Sequence, residues 1–358
     1  MKLKRLVFLN DDYSVIGGVE KVNMTWCELA SSHGLEVELA DEHKRDLYFN
    51  KNPKLIRSAI QLFPNVKLKK NPFILLRQIF SILKWIQGRE DNLIFIQKRH
   101  HVPCFGLAKA LGLLGKNKLV FLNHTSTSTF EKIYRSWFHR ILFGFYDKLI
   151  ILIEDHQQVS WPYKKCFELP NPVYPSTGEA YSRENIVLYA GRFSKEKNIE
   201  LLLKAWSIVE KQNHLRDWQL HLYGEGHELE RLQDLKEKLS LSRALFFSPS
   251  KTIRSVMKGA KIFILTSDME GLPLAAIEAM SEGVPFISTV TDGSQRIIEH
   301  GKNGLIIPER VAQDTYVALN ELMSSQKWGD YSAAAKLKSL EFLPEKCWQR
   351  FEKLISDL

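Results

Sequence analysis

Residues 261–280 carry the clearest fold signal in the chain, and their sequence is KIFILTSDMEGLPLAAIEAM. The short apolar run 261–266 predicts a buried strand. Pro273 predicts the start of a helix, because proline fits the first helical position. The helix is apolar nearly all round, so we expect it to be buried. Glu270 lies in the loop before this helix, and Glu278 lies on it, where a carboxylate needs hydrogen-bond partners.

The same strand–loop–helix pattern recurs along the whole chain. Strands are predicted at 4–10, 35–40, 92–97, 118–123, 148–153, 185–190, 218–223, 244–248, 261–266, 285–290 and 304–307. Amphipathic segments of about ten residues or more separate most of these runs. Such alternation is typical of an α/β fold with parallel sheets and helices on both faces. In these sheets, ligands bind beyond the carboxyl ends of the strands.

The alternation is interrupted once, near residues 170–183. This stretch begins PNPVYPSTG, which is rich in turn-forming residues and indicates a linker. The chain has 358 residues, which is too long for one ordinary core and suits two domains. We therefore predict two doubly wound, Rossmann-like domains, at 1–173 and 184–340, that face each other across a cleft.

The composition is that of a globular protein, with 44% hydrophobic and 25% charged residues. The sequence contains no apolar run of about eighteen residues, so we do not expect a membrane-spanning helix. The first ten residues read as a strand and not as a signal peptide. The four cysteines are far apart and form no CxxC pair, so we expect neither a zinc site nor a disulfide framework. These features favour a reduced, cytosolic protein.

The positive charge is concentrated in the first half of the chain. The net charge is +9, and residues 1–173 hold 26 Lys and Arg against 16 Asp and Glu. Residues 51–89 alone hold nine basic residues and no acidic one. Three interpretations remain open for this segment: a core helix with a solvated basic face, an interfacial helix on an anionic membrane, or nucleic-acid binding. We recognise no nucleic-acid motif, which disfavours the third.

Two candidate sites lie in the first half. Gly17 and Gly18 follow the first strand and precede a helix, a combination that lets backbone approach an anion. A Gly-Gly pair is also common in ordinary turns. His124 follows the strand at 118–123, on the side where ligands bind. Its alternative is a structural histidine held by hydrogen bonds.

In the second half, Arg192 and Lys197 lie five residues apart in the loop that follows the strand at 185–190. Two cations at a strand–helix junction suit a diphosphate, since arginine offers two donors and lysine a point charge. Ordinary surface charge is the alternative. Gly224 belongs to a Gly-x-Gly turn after the next strand, which is a weak signal for ligand binding.

Glu270 and Glu278 are eight residues apart, which corresponds to roughly 12 Å along a helix. They are therefore too far apart to act as an acid–base couple on one bond. They could instead hold two parts of an extended ligand. The backbone amides of Gly271, Leu272 and Leu274 lie between them and would favour an anion. A sugar, a diphosphate and a ribose would meet these groups in order.

Taken together, these residues resemble the retaining glycosyltransferases of family 4, which have the GT-B fold. The family hallmarks R-x4-K and E-x7-E read here as Arg192 with Lys197 and Glu270 with Glu278. The Gly-Gly loop, the histidine after an N-domain strand and the segment 292–304 are also similar to the family. The resemblance covers nearly the whole chain and is densest over 185–307.

The resemblance implies a role for each candidate in the second domain. Glu278 would hold the ribose hydroxyls. The amides at 271, 272 and 274, with Arg192 and Lys197, would hold the diphosphate and offset the charge of the leaving group. Glu270 would contact the donor sugar.

The resemblance also implies roles in the first domain. His124 would contact the donor sugar, and Gly18 would lie near the phosphates. A last helix at 341–358 would cross back to this domain. We expect no metal, because cationic side chains and helix dipoles would replace it.

The function implied is transfer of a sugar, with retained configuration, from a nucleotide-sugar donor to a glycan or lipid-linked acceptor. We expect UDP as the nucleotide, a role in bacterial surface polysaccharide or lipopolysaccharide synthesis, and peripheral contact of the basic half with the inner, anionic face of the cytoplasmic membrane. We expect no nucleic-acid partner. Two alternatives are a sugar-nucleotide epimerase of similar fold and a non-catalytic GT-B partner subunit. The intact R-x4-K and E-x7-E pairs argue against both.

Overall fold

The computed structural model describes residues 3–10, 18–41, 56–60, 72–124, 137–152, 165–175, 182–250 and 252–358. The chain divides into two compact units. The first unit comprises Met1–Pro172 together with Pro344–Leu358, and the second comprises Val173–Leu343. Each unit has its own parallel β-sheet with helices packed on it, so the predicted α/β class is confirmed.

The first unit is built on a sheet that has seven strands within the described residues. These strands are β1 (Arg5–Leu9), β2 (Glu36–Asp41), β3 (Ile56–Ala59), β4 (Asn92–Ile96), β5 (Lys118–Leu122), β6 (Lys148–Ile151) and β7 (Cys166–Glu168). They are all parallel and lie in the order β3-β2-β1-β4-β5-β6-β7. The direction of winding reverses between β1 and β4, which is the switch point of this sheet.

The second unit has six described strands with the same kind of order. They are β8 (Ile186–Ala190), β9 (Gln219–Tyr223), β10 (Ala244–Phe247), β11 (Ile262–Leu265), β12 (Phe286–Thr289) and β13 (Gly304–Ile307). All pair in parallel, in the order β10-β9-β8-β11-β12-β13. The switch point of this sheet therefore lies between β8 and β11.

Helices connect most consecutive strands, as parallel pairing requires. Those in the described parts of the chain are α1 (Gly18–Ser32), α2 (Pro72–Ile86), α3 (Val102–Ala110), α4 (Trp137–Gly144), α5 (Ile199–Val209), α6 (Leu229–Lys238), α7 (Ile253–Gly259), α8 (Leu274–Ser281), α9 (Asp292–Ile297), α10 (Ala312–Met323), α11 (Trp328–Ser339) and α12 (Pro344–Ser356). Single 3₁₀ turns lie at Arg99–His101, Lys195–Lys197, Asn213–Leu215 and Leu340–Phe342.

The last helix, α12, packs in the first unit although it follows the second unit in the chain. Its buried side chains include Trp348, Phe351 and Leu354, which recur at helical spacing. Phe351 contacts Trp26 of α1, with ring centroids 5.5 Å apart, and Phe95 of β4 at 6.3 Å. Helix α12 is therefore part of the core of the first unit.

Every strand predicted from the sequence overlaps an observed strand, whereas β3 and β7 were missed. Both missed strands lie at the edges of the first sheet, and they have only four and three residues. Their sequences, IRSA and CFE, lack a continuous apolar run, whereas the edge strands β10 (ALFF) and β13 (GLII) of the second sheet have one and were predicted.

The basic segment contains a helix that packs on the core. On the inner side of α2, Ile82 is fully buried within the main apolar cluster of the first unit. On its outer side, Arg77, Phe80 and Lys84 are exposed. Within the basic segment, the lysines at positions 67, 69 and 70 lie outside the described residues. The described helices include none that is both long and apolar enough to cross a membrane.

Candidate active site

The loops at the switch point of the second sheet hold the main candidate site. Strands β8 and β11 are neighbours, but the chain leaves them toward opposite edges of the sheet. In such folds, ligands bind at the loops that follow the strands on either side of the switch point, which here are residues 191–198 and 266–273. Both loops were singled out in the sequence, because they carry Lys197 and Glu270.

A cation and a carboxylate meet between these loops. The Lys197 ammonium donates a hydrogen bond to Oε1 of Glu270 at 2.7 Å. The Ser267 hydroxyl donates to the same oxygen at 2.6 Å. The Lys197 side chain is 24% exposed and that of Glu270 is 11% exposed, so a ligand can reach both. The two hallmark pairs of the sequence are thus joined through one member of each.

Further hydrogen bonds, from both backbone and side-chain groups, connect the two loops. Asn198 adopts a left-handed conformation, with φ of 47°, directly before α5. Its carbonyl accepts a hydrogen bond from the Thr266 hydroxyl at 3.0 Å, and its side-chain amide donates to Asp268 at 3.2 Å. The amide of Asp268 donates to the carbonyl of Glu196 at 2.8 Å. These bonds hold the loop segments that carry Lys197 and Glu270 next to each other.

Arg192 lies in the same loop as Lys197 with an exposed side chain. Its carbonyl accepts a hydrogen bond from the buried Tyr189 hydroxyl at 3.0 Å. Burial raises the pKa of Tyr189 well above its usual value, and the nearby carboxylates of Glu270 and Glu196 raise it further. The phenol therefore stays protonated and keeps donating to the Arg192 backbone.

Gly224 has a packing role in this structure. A methyl group at this position would overlap the carbonyl oxygen of Gly191 and crowd the ring of Phe193. The glycine lets the loop after β9 lie directly against the loop that carries Arg192. The sequence prediction that Gly224 contacts a ligand remains a prediction.

The start of α8 carries the remaining candidates of the second unit. Pro273 directly precedes the helix, which begins at Leu274. Leu272 and Glu278 are buried, whereas Gly271 and Leu274 are half-buried. Glu270 therefore lies in the loop and not on the helix, so the helical spacing of roughly 12 Å from Glu278 does not apply. This corrects the distance used in the sequence argument.

The loop that carries Glu270 is also held by the next helix. The amide of Gly293 in α9 donates to the carbonyl of Glu270 at 3.1 Å. A methyl group at Gly293 would overlap the carbonyl oxygen of Gly271 and the ring of Pro273. Thr291 and Ser294 form a reciprocal capping box at the start of α9. A glycine is therefore required where this helix meets the loop.

His124, Gly18 and Gly17 belong to the first unit. Gly18 is the first residue of α1 and is exposed, whereas Gly17 lies outside the described residues. His124 follows β5, and its Nε2 is enclosed with no hydrogen-bond partner among the described residues. Burial lowers the pKa of His124 to about 4, and the charge of Lys98 adds to this effect. The imidazole is therefore neutral at neutral pH.

Sequence reasoning missed several buried polar residues. At the switch point of the first sheet, Asn10 donates to Glu20 at 2.9 Å. Asn23 and Gln97 exchange amide hydrogen bonds of 2.8 and 2.7 Å nearby in the same unit. Ser267 was quoted in the sequence but given no role. Their position in the sequence could have identified three of them as candidates, because Asn10, Gln97 and Ser267 all follow the ends of strands that border a switch point.

The described residues contain no group of three or more His, Cys, Asp or Glu side chains placed to hold a metal ion. Lys197, Glu270 and Ser267 instead form a site that combines one cation, one carboxylate and one hydroxyl. With the exposed Arg192 in the adjoining loop, this arrangement can bind an anionic group next to a hydroxyl-bearing one.

Comparison with known proteins shows that the chain is similar to glycosyltransferases. Residues 174–338 match the family model "Glycosyl transferases group 1". An uncharacterised glycosyltransferase of Haemophilus influenzae is 24% identical, over 99% of this chain and 100% of that protein. The amylovoran biosynthesis glycosyltransferase AmsD of Erwinia amylovora is also 24% identical, over 98% and 99%. The lipopolysaccharide 1,6-galactosyltransferase of Salmonella typhimurium is 23% identical, over 90% of each chain.

Solved structures share the whole fold. The lipopolysaccharide outer core galactosyltransferase WaaB in its apo form has a TM-score of 0.76 at 20% identity, covering 99% of this chain and 100% of that one. Anabaena HepE in complex with UDP and glucose has a TM-score of 0.76 at 16% identity, with the same coverage. The pneumococcal O-GlcNAc transferase GtfA in complex with UDP and GlcNAc has a TM-score of 0.79 at 13% identity, covering 100% and 99%. The chain is therefore a glycosyltransferase with the GT-B fold, and its residues 174–338 match glycosyl transferases group 1.

Proposed function

We propose that this glycosyltransferase takes its sugar from a UDP-sugar and transfers it with retained configuration, as the glycosyltransferases of family 4 do. The observation that carries the proposal is the Lys197–Glu270 pair at the switch point of the second sheet. It joins the R-x4-K and E-x7-E elements inside the segment that matches the family model. The structural neighbours HepE and GtfA were solved with UDP, which supports the choice of nucleotide.

In this proposal the donor diphosphate binds between Arg192, Lys197 and the amides at the start of α8. Arginine and lysine are suited to a diphosphate, and the first amides of a helix lack partners within the helix. Glu278 on α8 would bind the ribose hydroxyls. Glu278 is buried, and a buried carboxylate needs hydrogen-bond donors such as these hydroxyls.

Breaking the bond between sugar and diphosphate leaves additional negative charge on the departing phosphate oxygen. Lys197 and Arg192 would stabilise this charge, which is the role that a metal ion has in other enzymes. Glu270 would hold the donor sugar through a hydroxyl group. Transfer would then proceed without a metal, and the acceptor would attack from the face by which the diphosphate leaves.

His124 is proposed as a further contact of the donor sugar. Its lowered pKa keeps the ring neutral, so it can exchange a single hydrogen bond with a hydroxyl without adding charge. Replacing it in His124→Ala should lower kcat for transfer by about 10- to 100-fold. A kcat equal to that of the wild type would remove His124 from the reaction.

The acceptor proposed is a glycan or lipid-linked sugar of a bacterial surface polysaccharide or lipopolysaccharide. AmsD and the Salmonella enzyme act in this kind of synthesis by their names, and both align with nearly all of this chain. Transfer to such an acceptor requires the enzyme to work close to the inner face of the cytoplasmic membrane.

The basic segment 51–89 is proposed to provide peripheral contact with that membrane. The exposed Arg77, Phe80 and Lys84 of α2 combine positive charge with one apolar ring, as interfacial helices do. Changing Lys67, Lys69 and Lys70 to Glu should reduce co-sedimentation with anionic liposomes, with neutral liposomes as the control. Undiminished co-sedimentation of the triple variant would exclude these lysines from membrane binding.

The test of the proposed function is release of nucleotide from a panel of UDP-, GDP-, ADP- and dTDP-sugars by the purified protein, with and without EDTA. We expect slow release from one UDP-sugar that is insensitive to EDTA. Early proton NMR spectra of the released sugar should show the anomer of the donor, because configuration is retained.

Other results would point to other functions. Release from a different nucleotide would correct the donor, and loss of activity in EDTA would overturn the metal-independent mechanism. An isomerised sugar nucleotide would indicate an epimerase. If no sugar nucleotide reacts and calorimetry shows no binding of UDP, the chain is a non-catalytic subunit and the proposal is wrong.

A further inference from the structure

The two oxygens of the Glu270 carboxylate have different surroundings. Oε1 accepts two hydrogen bonds, from the Lys197 ammonium at 2.7 Å and from the Ser267 hydroxyl at 2.6 Å. Oε2 accepts none from the residues that the structure describes. A carboxylate can accept about four hydrogen bonds, so Oε2 retains its full capacity for a ligand hydroxyl.

The two donors to Oε1 differ in how firmly they are held. Ser267 is fully buried two residues after β11, at the centre of the sheet, and its carbonyl accepts a hydrogen bond from the Thr289 hydroxyl at 2.6 Å. Its side chain has a single rotatable bond before the hydroxyl. Lys197 lies on a 3₁₀ turn, and its ammonium ends a long, flexible side chain that is 24% exposed.

The two donors also differ in what else they can bind. On the proposed function, Lys197 must contact the donor diphosphate, so its ammonium is shared or withdrawn from Glu270 when the donor binds. The Ser267 hydroxyl has one proton to donate, and it has no competing acceptor in the described residues. Ser267 is therefore the group that can hold Glu270 in place throughout the reaction.

We propose that Ser267 is a positioning residue for Glu270, which anchors Oε1 so that Oε2 is presented to a hydroxyl of the donor sugar. The inference rests on the proposed function, because it assigns Glu270 to the sugar. It adds that the orientation of this carboxylate depends on a buried hydroxyl three residues earlier in the chain. Misplacing a catalytic group by about 1 Å costs roughly 100-fold in rate.

The chain offers a matched control for this residue. Ser288 lies on the neighbouring strand β12 and is also fully buried, but its hydroxyl has no hydrogen-bond partner in the described part of the chain. Ser288→Ala and Ser267→Ala therefore remove the same atom from equally buried sites. Only the second change removes a hydrogen bond to Glu270.

The experiment measures kcat and KM for release of UDP from the UDP-sugar that the wild-type protein uses, together with the Kd for UDP by calorimetry. We expect Ser267→Ala to lower kcat by about 10- to 100-fold, while the Kd for UDP changes less than about twofold. Ser288→Ala should match the wild type in both quantities. Unchanged UDP binding shows that the nucleotide site of each variant is folded.

Ser267→Cys separates orientation from loss of packing, because the thiol leaves no cavity, being somewhat larger than the hydroxyl, but is a weak hydrogen-bond donor. We expect kcat of Ser267→Cys to stay close to that of Ser267→Ala. Restoration of wild-type kcat by cysteine, or an unchanged kcat in Ser267→Ala, would overturn the role of Ser267 and leave the proposed function intact. A wild-type protein that uses no sugar nucleotide and does not bind UDP would overturn both.

Discussion

Two carboxylates in this chain meet cations in contrasting ways. Glu38, on β2 of the first sheet, is fully buried and uses both oxygens, with Arg5 at 2.9 Å on one and Arg89 at 3.0 Å on the other. Glu270, at the switch point of the second sheet, is partly exposed and receives both of its donors on one oxygen.

This difference separates a structural carboxylate from one that is available to a ligand. The buried charge of Glu38 is compensated on both sides, which is what burial demands. An oxygen without a donor would be unfavourable in a structural ion pair, but at Glu270 it suits the proposed hydrogen bond to a sugar hydroxyl. The number of donors alone would not have distinguished the two sites.

The comparison is tested by changing each glutamate to glutamine, and the largest effect is expected at Glu270. Glu270→Gln keeps the shape of the side chain but removes its charge, and we expect transfer to fall by about 1,000-fold. The melting temperature should stay within a few degrees of the wild type, because the site is open and its neighbours can be solvated. Activity assays with thermal denaturation measure both quantities.

Glu237→Gln, on a side chain that is 80% exposed, serves as the control for Glu270→Gln and should leave transfer unchanged. A Glu270→Gln protein that transfers sugar at the wild-type rate would refute the view that this carboxylate acts on the donor.

The reverse result is expected at Glu38. Glu38→Gln leaves Arg5 and Arg89 without their carboxylate, so the free energy of unfolding should fall by about 3 kcal/mol. The specific activity of the folded fraction should not change. Urea denaturation, followed by the fluorescence of the tryptophans, measures the loss.

The control for Glu38 is Glu36→Gln, because Glu36 also binds Arg5 but is 61% exposed. Exposed ion pairs contribute about 0.2–1 kcal/mol, so this change should have a small effect. Equal losses in the two variants would contradict the distinction drawn here between buried and exposed carboxylates.

Lys197 and Lys195 sharpen the comparison within a single 3₁₀ turn. Lys197→Ala should reduce kcat/KM for the donor by about 100-fold, because it removes a cation from the proposed diphosphate site. Lys195 is exposed and makes no ion pair with the described residues, so Lys195→Ala should change kcat/KM less than about threefold. Similar losses in both variants would indicate a general effect of positive charge rather than a bound diphosphate.

The smallest effect concerns pH and the half-buried His124. Its pKa is about 4 in the folded protein, against an ordinary value of 6.5. Between these values the unfolded chain binds more protons, so the stability contributed by the neutral ring is complete above pH 6.5 and is lost as the pH falls toward 4.

Urea denaturation at pH 7.5 and at pH 5 should therefore show a smaller pH dependence in His124→Asn than in the wild type. His227→Asn, at a side chain that is 69% exposed, should retain the wild-type dependence. An identical dependence in the His124 variant would show that this ring does not titrate as described.

The architecture of both units could be predicted from local sequence. Central strands are buried on both faces and therefore read as short apolar runs, such as IFIL at 262–265. Their spacing located the loops that carry the candidate residues. The edge strands β3 and β7 could not be found in this way, because IRSA and CFE each combine few apolar residues with a charged one.

The pairing inside the site could not be predicted. Lys197 and Glu270 are 73 positions apart, and their contact depends on β8 lying next to β11 in the sheet. Sequence reasoning gave the two residues separate ligands and did not join them. The role of Ser267 could not be predicted either, because a serine near the end of a strand can be assigned a role only when its hydrogen-bond acceptor is known.

The position of α12 has a consequence for the order in which the chain can be completed during synthesis. Trp348, Phe351 and Leu354 fill the first unit, yet the ribosome adds them only after the whole of the second unit, Val173–Leu343. At typical rates of translation this delay is roughly 10–35 s. During this time the surface around Trp26 and Phe95 lacks its aromatic partner. The first unit is thus completed only after the second has been synthesised, and a nascent chain that stalls before position 344 leaves Trp26 and Phe95 without this contact.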